Sequence, residues 1–480
     1  MSEAITKGAK NMKKNNLERL GTERIGKLLL EFSLPAVIMM VVNALYNVID
    51  TAVLGYAVGA DGVAVTTLAL PIMTLLMGCS MWAGQGGSAL GALQLGQGKK
   101  EEVERTLGNT AFLLFFISFV IAIAAFVFID PVLSAIGTTQ TLWSKTKIFV
   151  QIICIGSAFQ SLNGGLNAFL RTAGKPNLSL GFSLLGTGMC IVLNILFVIV
   201  MGLGVAGSAL ATILGQACGG LPVIYYFTYG KDPAFRLWFR NLRPDFKLMK
   251  SILALGLASF AMQMASTVVG IVFNWVVNIW GVQDPIGVDN GLAAIGVAQK
   301  AAFFGITPII GITMGAQPIV GYNFGAKNWN RVLKTMKWSL IICAGIGAVV
   351  FVLAHTIPTP IVNLLGIRGD LVPFASSCLS AFTIFAPLVG TQIMAGSYFQ
   401  SSGQPMKSTI LELVRQVLFL IPLYLFLPHI LVNMFDMRAL SAVVICVPTS
   451  DIMAVVITTA LTVFEVRKLL RWRAEGSQSE

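Results

Sequence analysis

Apolar runs long enough to cross a bilayer recur along this chain almost from end to end, and no other feature constrains its fold as strongly. Twelve can be counted, over 28–56, 62–93, 108–136, 146–170, 178–201, 205–228, 248–282, 291–323, 335–361, 371–398, 408–433 and 440–466. A helix needs about 20 apolar residues to span the hydrocarbon core. Helices also satisfy their own backbone hydrogen bonds inside lipid, which open sheets cannot do. What remains between the runs is too short for a separate soluble domain. The expected fold is therefore an all-α membrane protein with twelve transmembrane helices. Composition agrees: 56% of the 480 residues are hydrophobic and 11% charged, against about 25% charged in ordinary globular domains.

The net charge of +12 could point to nucleic acid, but its distribution points to topology. Twenty-seven of the 33 Lys and Arg fall in the termini and in alternate loops, among them Lys7, Lys10, Lys13, Lys14, Lys99, Lys175, Lys231 and Arg467. The opposite loops hold Lys145, Lys147, Arg368 and Arg438, while Lys300 and Arg415 lie within apolar runs. This asymmetry is the positive-inside pattern, which predicts cytoplasmic termini and no nucleic-acid partner. The first 24 residues are polar and basic without a short apolar core, so no cleavable signal peptide is expected. The seven cysteines all sit in apolar runs, without a CxxC pair, and His355 and His429 have no companion ligand. Neither a disulfide framework nor a metal site is expected.

The chain also resembles itself. Gly96-Gln97-Gly98-Lys99 answers Gly325-Ala326-Lys327-Asn328, Asp130-Pro131 with Gly137 answers Thr359-Pro360 with Gly366, and Gly174-Lys175-Pro176 answers Gly403-Gln404-Pro405. All three pairs share an offset of 229 residues, which fails upstream because the VQDPIGVD loop is longer than its counterpart. The expected organisation is a cytoplasmic segment 1–27, a six-helix bundle 28–229, a cytoplasmic linker 230–247, a second bundle 248–466 and a tail 467–480. Six helices per half make these parallel repeats, an arrangement that transporters use around a site between or within the halves.

The first run is broken by Asn43, Tyr46, Asn47 and Asp50, spaced three or four apart and so on one helical face. An intramembrane carboxylate is costly and normally faces a protein interior or a watery cavity, so Asp50 is the leading functional candidate. Its structural alternative is a pairing that only holds helices together. Counted from Leu28, it lies roughly 33 Å along the helix, in the outer half of the membrane unless a kink at Pro35 brings it back.

Together, SLPAVIMMVVNALYNVIDTAVLG, the GQG at 96–98, FLRTAGKP (169–176), GLGVAGSALAT (202–212) and FQSSGQP (399–405) resemble the multidrug and toxin extrusion (MATE) family over essentially the whole chain. The resemblance implies a V-shaped exporter of two six-helix bundles. It would expel cationic or amphipathic drugs in exchange for inward H+ or Na+, with no cofactor beyond that ion, as a monomer in the cell membrane. It places Asp50 at the coupling-cation site, with Asn194 at a fifth-helix position that is Asp in one branch and Thr212 at a sixth-helix hydroxyl. Asn47 and Tyr46 would complete that site, and Pro35 matches the kink-forming proline of the first helix. Other branches carry acids on the seventh and tenth helices. The matching stretches here, LASFAMQMASTVV (257–269) and IFAPLVGTQIMAG (384–396), have none.

Candidate liners of a substrate cavity are Asn43, Met39, Met262, Met264, Asn274, Asn278, Gln299, Lys300 and Gln392. For the amides, an interhelical hydrogen bond is the competing role; for Lys300 it is snorkelling to a headgroup. Glu412 and Arg415, three apart, are expected to pair with each other, and Asp451 to open the twelfth helix. Three other functions were weighed. A lipid-linked-precursor flippase calls for several cavity arginines, an embedded enzyme calls for paired carboxylates or a nucleophile with a base, and a channel would lack counter-ion dependence.

Overall fold

In a computed structural model, described for residues 18–136, 138–230 and 233–478, every regular element is helical. The expectations that rest on residues 1–17, Gly137 and Lys231 lie outside the described residues. Ten helices are long and apolar enough to cross a membrane, and two further bent pairs, at 51° and 46°, bring the spans to twelve. In chain order the spans are α1 (Ile25–Ala57), α2 (Ala60–Gly96), α3 (Lys100–Val127), α4 (Gln140–Ile155 bent into Ser157–Thr172), α5 (Pro176–Val200) and α6 (Gly204–Tyr229). The second half repeats the set as α7 (Phe246–Gly281), α8 (Val288–Gly325), α9 (Trp329–Thr356), α10 (Gly369–Thr383 bent into Ala386–Ser401), α11 (Pro405–Phe435) and α12 (Ala439–Gln478). Each lies within several residues of its apolar run. The helices extend further than hydropathy indicates chiefly at the Lys/Arg-rich end, where polar side chains continue the same hydrogen-bonded backbone. The first helix runs unbroken through Pro35.

Residues one repeat apart take the same local geometry. Proline starts both α5 and α11, where its missing N–H is no loss. The turn before each uses a left-handed glycine, Gly174 at φ 74° and Gly403 at φ 76°. After α2 and α8 the corresponding residues are Gly98 at φ 75° and Lys327 at φ 57°. A Cβ in this region costs roughly 1–2 kcal/mol, so the second half carries strain that the first avoids. Gly98→Ala is expected to destabilise by about 1 kcal/mol although nothing lies within 4 Å of the new methyl. Lys327→Gly is expected to change stability by less and in the favourable direction. Thermal unfolding of the two variants in detergent checks both signs.

The halves touch along closely approaching backbones. A Cβ on Gly256 of α7 would lie 1.7 Å from the Trp82 carbonyl oxygen of α2, and one on Gly86 would lie 2.0 Å from that of Ile252. Further along, Gly96 meets the Tyr322 carbonyl at 1.9 Å and Gly325 meets that of Leu93 at 2.1 Å, a reciprocal pair across the repeat axis. Ser33 and Val37 of α1 approach Gly315 and Gly311 of α8 in the same way. All these contacts lie between the middle of the helices and the basic end. Beyond them Leu45, Val48 and Ile49 of α1, with Ile271, Trp275 and Ile279 of α7, are exposed. The halves thus form a V closed at the basic end. Gly96→Ala should loosen that closure, since the opposing atom is backbone and cannot rotate aside. Faster labelling of single cysteines introduced beneath the contact is the expected result.

At the other end one loop is pinned by charge. Arg438 donates to Asp284 from Nε at 3.0 Å and Nη2 at 2.9 Å, and the amides of Leu440 and Ile286 add bonds of 3.0 and 3.1 Å. Burial works to raise the Asp284 carboxyl, but these four donors outweigh it and hold the group below the usual carboxylate range. A lowered folded-state value means the stabilisation is full above the usual range and is lost as pH falls through the lowered one. Acid should therefore loosen the α7–α8 loop, and Asp284→Asn should remove that acid dependence in hydrogen exchange of residues 282–287.

Candidate functional site

Four residues of α1 face four of α5 in a single parallel register. Ser183 Oγ donates to Met39 Sδ at 3.0 Å, Thr187 Oγ1 donates to Asn43 Oδ1 at 3.0 Å, Cys190 lies beside Tyr46, and Asn194 Nδ2 donates to Asp50 Oδ1. The spacing on each helix is four, three, four. That is the repeat which keeps one seam of a helix on its neighbour. Unlike a coiled-coil seam, this one is polar, and each polar group is matched across it.

Asp50 ends the seam. Its Oδ1 accepts from Asn194 and, at 3.1 Å, from Ser208 Oγ of α6. One turn further along α6, Thr212 Oγ1 lies 3.1 Å from the Tyr46 hydroxyl, and the Cys190 thiol reaches the Thr212 carbonyl at 3.6 Å. Asn194 and Ser208 are each 1% exposed, whereas Asp50 is only partly buried. Two oxygens here have no donor: Asp50 Oδ2, and Asn194 Oδ1, which is buried without a hydrogen-bond partner. Buried acceptors are almost always satisfied, so such a pair calls for a positive ligand. The α-helical geometry also ends there, since α5 becomes a π-helix from Ile195 to Val200, a local form frequent at functional sites.

The expected set of Asp50, Asn194, Thr212, Asn47 and Tyr46 thus divides. Asp50 and Asn194 meet directly, and Tyr46 and Thr212 pair one turn away. Asn47 does not join them: it is exposed and donates to its own helix at the Asn43 carbonyl, 2.9 Å away. Ser208 was missed, although it stands four residues before Thr212 and so on the same face of α6.

The proposed cavity liners scatter. Met39 is buried and Asn43 is held by Thr187, so both belong to the seam. Met264 packs against Gly78 of α2. Asn278 donates to the Asn274 carbonyl at 2.8 Å, repeating the Asn47 arrangement, and both second-half amides are exposed. Gln299 is partly buried and Lys300 exposed, and Gln392 is buried with its Oε1 unpartnered. Met262 is partly buried on α7, where its carbonyl accepts from Ser266.

Two expected placements are corrected. Arg415 pairs with Asp451 at 2.6 Å, not with Glu412. A π-helix beginning at Val414 turns Arg415 off the Glu412 face and towards α12. Asp451 does not open α12 but lies twelve residues inside it, because the helix already starts at Ala439, next to the Arg438 anchor.

Comparison with known proteins bears on the whole chain. The family model MatE matches residues 35–196 and 258–425. The multidrug export protein MepA of Staphylococcus haemolyticus is 24% identical over 404 residues, covering 84% of this chain and 87% of that protein. MepA of Staphylococcus aureus (strain MRSA252) is 22% identical over 419 residues, covering 86% and 90%. Among solved structures, MATE in complex with MaL6 superposes with a TM-score of 0.87 at 22% identity, over 95% of this chain and 99% of that one. An outward-facing multidrug resistance MATE family transporter gives 0.86 at 23%, over 94% and 98%. With two matched segments that fall one in each half and together span well over half its length, the chain belongs to the MatE family, whose members are transporters and not enzymes.

Proposed function

We propose that this protein is a secondary active multidrug antiporter of the cell membrane, exporting cationic or amphipathic compounds in exchange for H+ or Na+. The observation that carries the reading is the pair of donor-free oxygens, Asp50 Oδ2 and Asn194 Oδ1, at the end of an otherwise satisfied polar seam. A carboxylate accepting from neutral donors only keeps its negative charge uncompensated, and a proton or a hard cation neutralises it. The names of the MepA relatives support the substrate class.

Coupling requires that the ion bind the two access states unequally. Asp50, Asn194 and Ser208 come from α1, α5 and α6, so a change of charge at Asp50 alters the attraction among all three helices. In this reading the ion enters from the open end of the V, α1 shifts against α5 and α6, and the drug leaves outwards. Both termini lie in the cytoplasm, as the basic end indicates. The chain works as a monomer of two bundles, 28–229 and 248–466. The matched hydrogen bonds Thr187–Asn43 and Ser266–Gln416, one per half, support that division.

Purified protein in liposomes, loaded with a fluorescent organic cation, tests the reading. Proton and sodium gradients are imposed separately. Transport that follows one gradient names the ion. Transport indifferent to both overturns antiport.

A further inference from the structure

Glu412 on α11 is a carboxyl without a partner. No hydrogen bond or ion pair within 4 Å is formed by it among the described residues, and Arg415 is the charged group that acts on it. The Arg415 guanidinium is already engaged by Asp451, which is 2% exposed. Glycine stands opposite the carboxyl: a Cβ on Gly396 of α10 would lie 2.5 Å from Glu412 Oε1. The bundle therefore leaves room at this point for the carboxyl group and little else.

Its position mirrors the seam of the first half. There Thr187 bonds Asn43, and the residues one repeat later, Gln416 and Ser266, bond at 3.2 Å. One turn back in the first half, the Ser183 hydroxyl donates to Met39, and the counterparts of these two residues are Glu412 and Met262. Where the first half has a neutral hydroxyl, the second has an acid. The π-helix of α11 starts two residues later, as that of α5 starts one residue after Asn194. This location on the eleventh helix differs from the seventh- and tenth-helix acids that the family resemblance led one to look for.

We infer that Glu412 is a proton-binding site of the second half, separate from Asp50. An ionised carboxyl among Met262, Ser266 and Gly396 has neither donors nor a free cation to offset its desolvation, so it holds a proton instead. The facing stretch of α7, 259–266, carries no titratable group. From α12 comes Asp451, and from α11 itself Arg415. Lys407 is tied to Glu465 at 2.8 Å, and Tyr398 of α10 lies near that same Glu465. Loss of the proton creates a second anion three residues from Arg415, which then has two carboxylates to choose between. The use of this site in transport rests on the antiport reading above, but the proton itself does not.

Infrared titration of the purified protein tests it. A protonated carboxyl gives a C=O band resolved from carboxylate. The band is expected near neutral pH in wild type and in Asp50→Asn, to vanish in Glu412→Gln, and to shift without vanishing in Glu412→Asp, which also controls for folding. Proton release on adding tetraphenylphosphonium, followed with a pH dye, should fall in Asp50→Asn and in Glu412→Gln and disappear in the double variant. A band unchanged by Glu412→Gln, or lost in Asp50→Asn alone, overturns the assignment. Gradient-driven transport by wild type is measured in parallel, so antiport can fail while the band persists, or the reverse.

Discussion

Asp50→Asn abolishes gradient-driven drug efflux while the protein remains folded in the membrane. The side chains have nearly the same shape, and an amide oxygen at the Oδ1 position still accepts from Asn194 and Ser208. What disappears is the negative charge, and with it any proton or cation affinity. A fall of roughly tenfold or more in efflux corresponds to losing about 1.4 kcal/mol of differential ion binding, a small fraction of what an intramembrane charge is worth. Asn47→Ala serves as the control, because Asn47 bonds only its own helix. Efflux in proteoliposomes at matched reconstitution is the measurement. Full activity in the Asp50 variant would sink the site assignment, and an equal loss in Asn47→Ala would show the effect to be unspecific.

The second large effect is on stability. Arg415→Ala leaves Asp451 buried, ionisable and unpaired, and breaking a buried pair from one side costs about 3–5 kcal/mol. Removing both charges with apolar residues of similar volume, Arg415→Met with Asp451→Leu, is expected to recover most of that loss, since a buried pair contributes little net stability over a good apolar replacement. Thermal unfolding in detergent, read by reactivity of the buried thiols Cys343, Cys378 and Cys446, orders the variants. A single variant as stable as wild type would mean that the Arg415–Asp451 contact is incidental.

The twelve spans were legible because a membrane imposes one demand, about twenty apolar residues, and each segment states it independently. Asp50 was legible for the same reason in reverse: a carboxylate in such a segment stands out. Its partners were less so. Ser208, Ser183 and Thr187 are ordinary hydroxyl residues of membrane helices, and which of them meets α1 depends on the rotation of three segments separated by more than a hundred residues. The loop charge bias located the basic end, but not the glycine contacts that close the V there. Arg415 was misassigned by assuming α-helical geometry. Two residues three apart on an α-helix are neighbours, and the π-helix at Val414 removes that premise. The repeat was visible as an offset, yet Gly98 and Lys327 share a backbone angle that no residue-type preference would have matched.

The parallel register of α1 on α5 carries a mechanical consequence. Since Met39, Asn43, Tyr46 and Asp50 each meet the residue 144 positions later, a slide of one helical turn would mismatch every pair at once. No intermediate offset restores even two of the hydrogen bonds. The two helices therefore behave as one splinted rod, free to tilt or rotate together against α6 but not to ratchet past each other. Any stroke that begins with the charge of Asp50 reaches the middle of the molecule through that rod, undiminished by slippage along it.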